Sequence, residues 1–234
     1  MPTPRDYDTD PGRYRLGMRV AAAHTAPGVN LQARIVELIV AAGGTTVLDA
    51  GCGDGALAVA AATWPLDVIG LDAAAPMVEA ARAHGPVVRG DVAALPVADA
   101  SVDAVVTVNV LDHLDRPTTA LCEARRVLRP GGLFVAGTVA RSDSPELGPF
   151  WHAAPGTFDS EEAPGIVAGV FGAVTVEPWD APLVTLPDRD AVRDYLRARF
   201  VPSGEAGRLA DAIAARGPLP LPVTKRGALL LARR

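Results

Sequence analysis

Long apolar runs are missing from this 234-residue chain: none reaches the roughly 18 residues needed to span a bilayer, so no membrane insertion is expected. Cysteine is scarce. The two present, Cys52 and Cys122, have neither metal-ligand spacing nor the number for a disulfide framework, which fits a reducing cytosol. No metal site is expected. The basic excess that marks nucleic-acid binders is also lacking; a net charge of −5 argues against nucleic acid as the main partner. The first residues, Met1-Pro2-Thr3-Pro4-Arg5-Asp6-Tyr7-Asp8, lack the basic-then-apolar pattern of a signal peptide, and a cytoplasmic location is expected. Internal repeats and low-complexity tails are absent as well.

What is present suits one α/β domain with insertions, long enough to bury a substantial core. Residues 1–30 read as an N-terminal arm that includes a short helix. Asn30 is placed to cap a helix through Ala42, since Leu31, Ile35, Leu38 and Ile39 share a face and Gly43-Gly44 follows. Strands are expected at Thr45–Asp49, Asp67–Leu71, Val87–Val88, Val102–Val108 and Leu133–Thr138. The helices between them are expected at 54–63, from Pro76 to Gly85 and from Pro117 to about Leu128, with a turn at Arg129-Pro130-Gly131-Gly132. Such alternation implies an open, doubly wound, Rossmann-like parallel sheet. Residues 141–165 carry Pro145, Pro149, Pro155 and Pro164 and read as a long loop or lid. Beyond them come a strand at Ala173–Trp179, a helix capped by Asp188 with Val192, Tyr195, Leu196 and Arg199 at helical spacing, a helix over 205–216 and a strand at Lys225–Ala232.

The chemistry is concentrated in Val47-Leu48-Asp49-Ala50-Gly51-Cys52-Gly53-Asp54-Gly55, a buried-strand run that ends in a glycine-rich turn flanked by acids. Gly51-x-Gly53-x-x-Ala56 also fits the dinucleotide fingerprint, so the turn alone does not choose between cofactors. The charges do. In a doubly wound sheet the ligand lies beyond the carboxyl ends of the strands, where Asp49, the turn, Asp72, Asp91 and Asn109 are expected. A pyrophosphate avoids such an acidic crevice, whereas a sulfonium and an ammonium are drawn to it. The site therefore favours a cationic nucleoside such as S-adenosylmethionine (SAM). Asp72 lies 23 residues beyond Asp49, where a carboxylate accepts ribose hydroxyls, and Asp91 is placed to accept from an adenine amino group.

With Gly70-Leu71-Asp72, Gly90-Asp91-Val92-Ala93-Ala94-Leu95-Pro96, Ser101-Val102-Asp103-Ala104-Val105 and Leu128-Arg129-Pro130-Gly131-Gly132-Leu133 following in order, the chain resembles a class I SAM-dependent methyltransferase of the small-molecule, quinone-biosynthesis-like branch. The resemblance is close over residues 45–138 and weak outside them. It implies a seven-stranded sheet with residues 173–179 and 225–232 as an antiparallel edge pair, within one domain whose arm and whose 139–170 and 180–218 insertions cover the acceptor. It also implies SAM as cofactor, S-adenosylhomocysteine as product, and a binding set of Asp49, Gly51, Cys52, Gly53, Asp72, Ala73, Met77, Asp91, Val92 and Asn109. A small-molecule acceptor and a monomer or homodimer go with it. His113, in Asn109-Val110-Leu111-Asp112-His113-Leu114, is the candidate catalytic residue, with a place in the pocket wall as its other reading.

Blander roles compete at several positions. Asp49 can brace the turn as well as set the field, Cys52 reads as a small packed side chain, and Tyr195 as helix core. His24 and His152 read as exposed polar residues. An Asn-Pro-Pro-Tyr-like run is absent, which disfavours amide and base-amino acceptors. Two other functions stay open: a SAM-binding, non-methylating protein such as a cyclase, and a nicotinamide-dependent oxidoreductase.

Overall fold

Asn30 caps a helix as its pattern predicts: its Oδ1 accepts the N–H of Ala33 at 3.0 Å, and Gly43 closes the helix with φ of +77°. The structure is a computed structural model that describes residues 10–153 and 156–234; the first nine residues of the arm, and Pro155, lie outside the described residues. In chain order the elements are α1 (Pro11–His24), α2 (Leu31–Ala41), β1 (Thr46–Ala50), α3 (Ala56–Ala61), β2 (Asp67–Asp72), α4 (Ala75–Ala81), β3 (Val87–Arg89), β4 (Val102–Val108), α5 (Pro117–Val127), β5 (Leu128–Val139), α6 (Ala163–Phe171), β6 (Val174–Leu186), α7 (Arg189–Ala198), α8 (Ser203–Arg216) and β7 (Leu221–Arg233). They fall into two units: a larger one of residues 30–140, 156–178 and 227–234, and a smaller one of the described residues in 10–29, 141–153 and 179–226.

Seven strands form one sheet in the order β3-β2-β1-β4-β5-β7-β6, as expected for the fold. β1 pairs in parallel with both β2 and β4, so the strand order reverses at β1 and opens a crevice at its carboxyl end. β7 returns antiparallel to β5, from Leu133 opposite Arg233 to Val139 opposite Gly227. Val47, Leu48, Ala104, Val105 and Val106 are almost wholly buried, as a strand covered on both faces requires. Around them pack Leu121 and Val127 of α5, and Phe134, whose ring stacks on Phe171 of α6 at 4.9 Å between centroids.

β4 also anchors the start of β1. Although burial opposes ionisation of Asp103, the N–H of Thr46, the Arg129 guanidinium and the N–H and hydroxyl of Thr45 hold its carboxyl well below the usual carboxylate range.

The smaller unit has its own core, in which Val20, Leu147, Val192, Tyr195, Leu196, Ala206, Ile213 and Val223 cluster. Asp188 caps α7 as expected, accepting the N–H of Ala191 at 2.9 Å.

Three expectations are corrected. Residues 163–171, inside and beyond the stretch read as a lid, form α6; Pro164 sits in its first turn, where a missing N–H costs no intrahelical bond. The arm carries not a short helix but the 14-residue α1. Arg129 to Gly132 belong to β5 as a bulge, where the pairing jumps from Val102–Leu128 to Ala104–Leu133 and Gly131 takes φ of +79°.

Candidate functional site

The register of the larger unit brings the strand-end acids to neighbouring positions. Asp49 pairs with Gly70 on one side and Val106 on the other, and Asp72 lies beside Arg89. The turn after β1 is tied to β2 by two donors, the N–H groups of Gly51 and Cys52, which both reach the carbonyl of Leu71 at 2.7 and 3.0 Å. Gly51, Gly53 and Gly55 take φ of +89°, +56° and +91°, the left-handed region that favours glycine. Gly51 is constrained twice. A Cβ there would lie 2.2 Å from Cγ2 of Val110, so the segment after β4 packs directly on the bare backbone of the turn.

Asp72 organises the floor of the crevice. Its Oδ2 accepts the N–H of Gly53 and its Oδ1 the N–H of Ala74, both at 2.9 Å. A carboxylate oxygen has lone pairs for more than one donor. Asp49 is 6% exposed, and burial first, then the charge of Asp72, push its carboxyl up to about 7. Cys52 is packed, not displayed: its Sγ lies 2.8 Å from where a Cβ on Gly70 would stand. Burial and the charges of Asp49 and Asp72 push its thiol up to about 12, which leaves it un-ionised and a poor nucleophile at neutral pH.

The other sequence-predicted residues sit at the following strand ends. The carbonyl of Ala73 accepts Nε of Arg89 at 2.9 Å, and Met77 is buried on α4. Asp91 is exposed and accepts the N–H of Ala93 at 2.8 Å, while Val92 turns inward. Asn109 is exposed, with φ of +53° and its N–H on the carbonyl of Gly137. His113 closes a short 3-10 turn over Leu111–His113 and is half-buried. Tyr195, His24 and His152 belong to the smaller unit.

One supporting device escaped the sequence reading. On α5, Glu123 accepts the N–H of Leu95 at 2.8 Å, and Arg126 donates to the carbonyls of Leu95 and Val97 at 3.0 and 2.8 Å. These bonds pin the loop that follows Asp91 and Val92. The available signal was an acid and a base three residues apart, interleaved with the buried Ala120, Ala124 and Val127. Charges bordering a buried stripe must find partners, and here those are loop backbone groups.

The methyltransferase domain family matches residues 48–136, the span that holds the glycine turn, Asp72, Asp91, Asn109 and His113. Over that span the chain is similar to the methyltransferase domain family, and its curated relatives include SAM-dependent methyltransferases. It is 45% identical over 101 residues to a probable S-adenosylmethionine-dependent methyltransferase of Mycolicibacterium smegmatis, covering 42% of this chain and 39% of that one. It is 37% identical over 119 residues to a demethylmenaquinone methyltransferase of Renibacterium salmoninarum, covering 50% and 49%. The chain thus spans less than half the length of these curated relatives. Among solved structures, a SAM-dependent methyltransferase of Thermotoga maritima superposes with a TM-score of 0.60 at 20% identity, covering 97% of each chain. The [4+2]-cyclase SpnF superposes with a TM-score of 0.62 at 18% identity, covering 100% of this chain and 98% of that one.

SAM is the cofactor that these similarities imply, and the residues present fit it. Two carboxylates close enough to oppose each other's ionisation suit a ligand with two positive centres and repel a pyrophosphate. The match to the methyltransferase domain family weighs against the nicotinamide alternative.

A pH dependence follows from Asp49. With its pKa raised to about 7, the carboxyl is protonated below neutrality in the cofactor-free protein. We expect SAM affinity to fall as pH drops from 7.5 to 5.5, approaching about tenfold per pH unit at the acid end, with a proton released on binding. The stability sign is the reverse. The unfolded state ionises Asp49 near 4, so from there to about 7 the native state holds the extra proton and loses stability as pH rises. Asp49→Asn is therefore expected to stabilise the cofactor-free protein at pH 8 while flattening the pH profile of SAM binding. Calorimetry in buffers of different ionisation enthalpy, with thermal unfolding at pH 5.5 and 8, checks both signs.

Proposed function

We propose that this protein transfers the methyl group of SAM to a small organic acceptor. The observation that carries the reading is the buried Asp49 beside Asp72 at a glycine turn, within a domain of the methyltransferase family. Asp49 and Asp72 supply the negative field, Asp72 accepts ribose hydroxyls, and Asp91 with the backbone of Val92 receives the adenine. Gly51, Cys52 and Gly53 border the methionyl part, Asn109 meets its amino group or lines the reaction site, and Ala73 and Met77 complete the cofactor pocket. When bound, SAM supplies a methyl group already activated on a sulfonium. The chain's remaining tasks are to align the acceptor and exclude water, which together account for large rate effects. His113 takes the acceptor's proton where the attacking atom carries one. Acceptor selection is assigned to segments outside the cofactor core.

No helix among the described residues is long and apolar enough to cross a membrane. The net charge of −5 and the two free cysteines support a cytoplasmic enzyme that acts on small molecules and not on nucleic acid, and we take it to be a monomer or homodimer.

Calorimetric titration with SAM and S-adenosylhomocysteine is the test, and folded protein that binds neither overturns the reading. A SAM binder that releases no S-adenosylhomocysteine with any acceptor would belong with the non-methylating, cyclase-like proteins. For His113→Ala we expect turnover to fall about 100-fold with SAM affinity changed less than about threefold. A loss of affinity with turnover intact would place His113 in the pocket wall.

A further inference from the structure

The arginines of α7 are matched to acids, with one exception at the helix end. Arg189 pairs with Asp190 and Asp211, Arg193 with Asp190 and Asp194, and Arg197 with Asp194. Arg199, the C-cap residue, pairs with no carboxylate among the described residues. Its guanidinium instead lies 3.4 Å from the centroid of the Tyr195 ring, with one N–H on the Tyr195 carbonyl at 3.4 Å. A guanidinium carries five N–H donors, and stacking on a ring leaves its planar edge available.

The platform beneath it is fixed. Tyr195 is 1% exposed, and its hydroxyl shares a 2.8 Å hydrogen bond with that of Ser144, which is 3% exposed. Lys225 approaches the same ring, with Nζ 6.0 Å from its centroid. The acids nearby are already engaged: Asp143 with Lys225 and the N–H of Arg226, Glu146 with the N–H and hydroxyl of Thr224. Burial, and next the charge of Arg199, pull the Lys225 ammonium down to about 8. Two cations thus crowd one buried ring, and the Arg199 guanidinium has open donors.

We propose that the smaller unit binds a small molecule through its carboxylate group, gripped by the Arg199 fork and balanced by Lys225, with Tyr195 and Ser144 as positioning residues. A carboxylate matches the guanidinium edge with two parallel hydrogen bonds. Lys225 is paired with Asp143, which leaves the single charge of the Arg199 guanidinium to match a monoanion better than a phosphate dianion. That this ligand is the methyl acceptor rests on the function proposed above; the site itself does not.

The probe is benzoate, titrated calorimetrically into the intact protein beside benzamide, its uncharged isostere, and inorganic phosphate. We expect benzoate to bind at least about tenfold more tightly than either. Arg199→Gln is expected to weaken benzoate about tenfold or more, with Arg199→Lys falling between, because a lysine keeps the charge but loses the fork. SAM titration of each variant reports that it is folded. Benzamide equal to benzoate, phosphate tighter than benzoate, or Arg199→Gln unchanged would each overturn the proposal. The unaltered protein decides the first two comparisons whatever becomes of the variants. Loss of SAM binding with benzoate binding intact would overturn the methyltransferase function and leave the carboxylate site standing.

Discussion

Gly51→Ala is expected to abolish measurable SAM binding and to destabilise the larger unit by about 2–4 kcal/mol. Two costs add. A residue with a Cβ is strained at φ of +89°, and that Cβ would lie 2.2 Å from Cγ2 and 2.8 Å from Cγ1 of Val110. Val110 cannot yield freely, since the carbonyl of this same residue accepts the N–H of His113 and the segment is held to β5 through Asn109 and Gly137. The relief must come from the glycine turn, which moves the donors and acids of the crevice together. The double variant Gly51→Ala/Val110→Ala separates the costs: it should recover the overlap but not the backbone strain. Urea unfolding with SAM calorimetry measures both. A Gly51→Ala protein with unchanged midpoint and affinity would show that the turn does not receive the cofactor.

The second large effect is expected at Asp72. Asp72→Ala should weaken SAM at least about 100-fold, whereas Cys52→Ala should change it less than about threefold. The carboxylate is asked to do two things at once. It accepts the N–H groups of Gly53 and Ala74, so its removal frees the turn from the segment after β2, and it is placed to accept ribose hydroxyls. The same variant removes the charge that helps raise the Asp49 carboxyl, so what SAM binding remains should keep its pH dependence but shifted to lower pH. Equal losses from Asp72→Ala and Cys52→Ala would mean that the crevice is not organised around the strand-end acids.

Much of the architecture was legible because its signals are local. Asn30 and Asp188 cap helices that begin at the next residue, since a side-chain oxygen there satisfies N–H groups only three positions away. The apolar density of Val102–Val108 reports burial on both faces wherever the strand ends up. Prolines were the weaker guide. Pro164 suggests a loop, yet the residue that a helix interior rejects is accepted in its first turn. The bulge at Arg129–Gly132 resembles a turn in sequence, because the glycines announce the backbone conformation but not the pairing on either side of it.

By itself the sequence determined the glycine turn, the acids placed at successive strand ends and hence the sign of charge the ligand carries. Those features depend on residue type and spacing along single elements. Only the tertiary structure decided that Val110 forbids a side chain at Gly51, that Asp49 is buried against the charge of Asp72, and that Glu123 and Arg126 hold the loop after Asp91 and Val92. Likewise only packing revealed that, among the described residues, Arg199 alone of the arginines of α7 and its cap lacks an acid. Each of these is a relation between residues distant in the chain. Its energy depends on ångström-scale separations and on the loss of water around a charge, and neither quantity is written in spacing or composition.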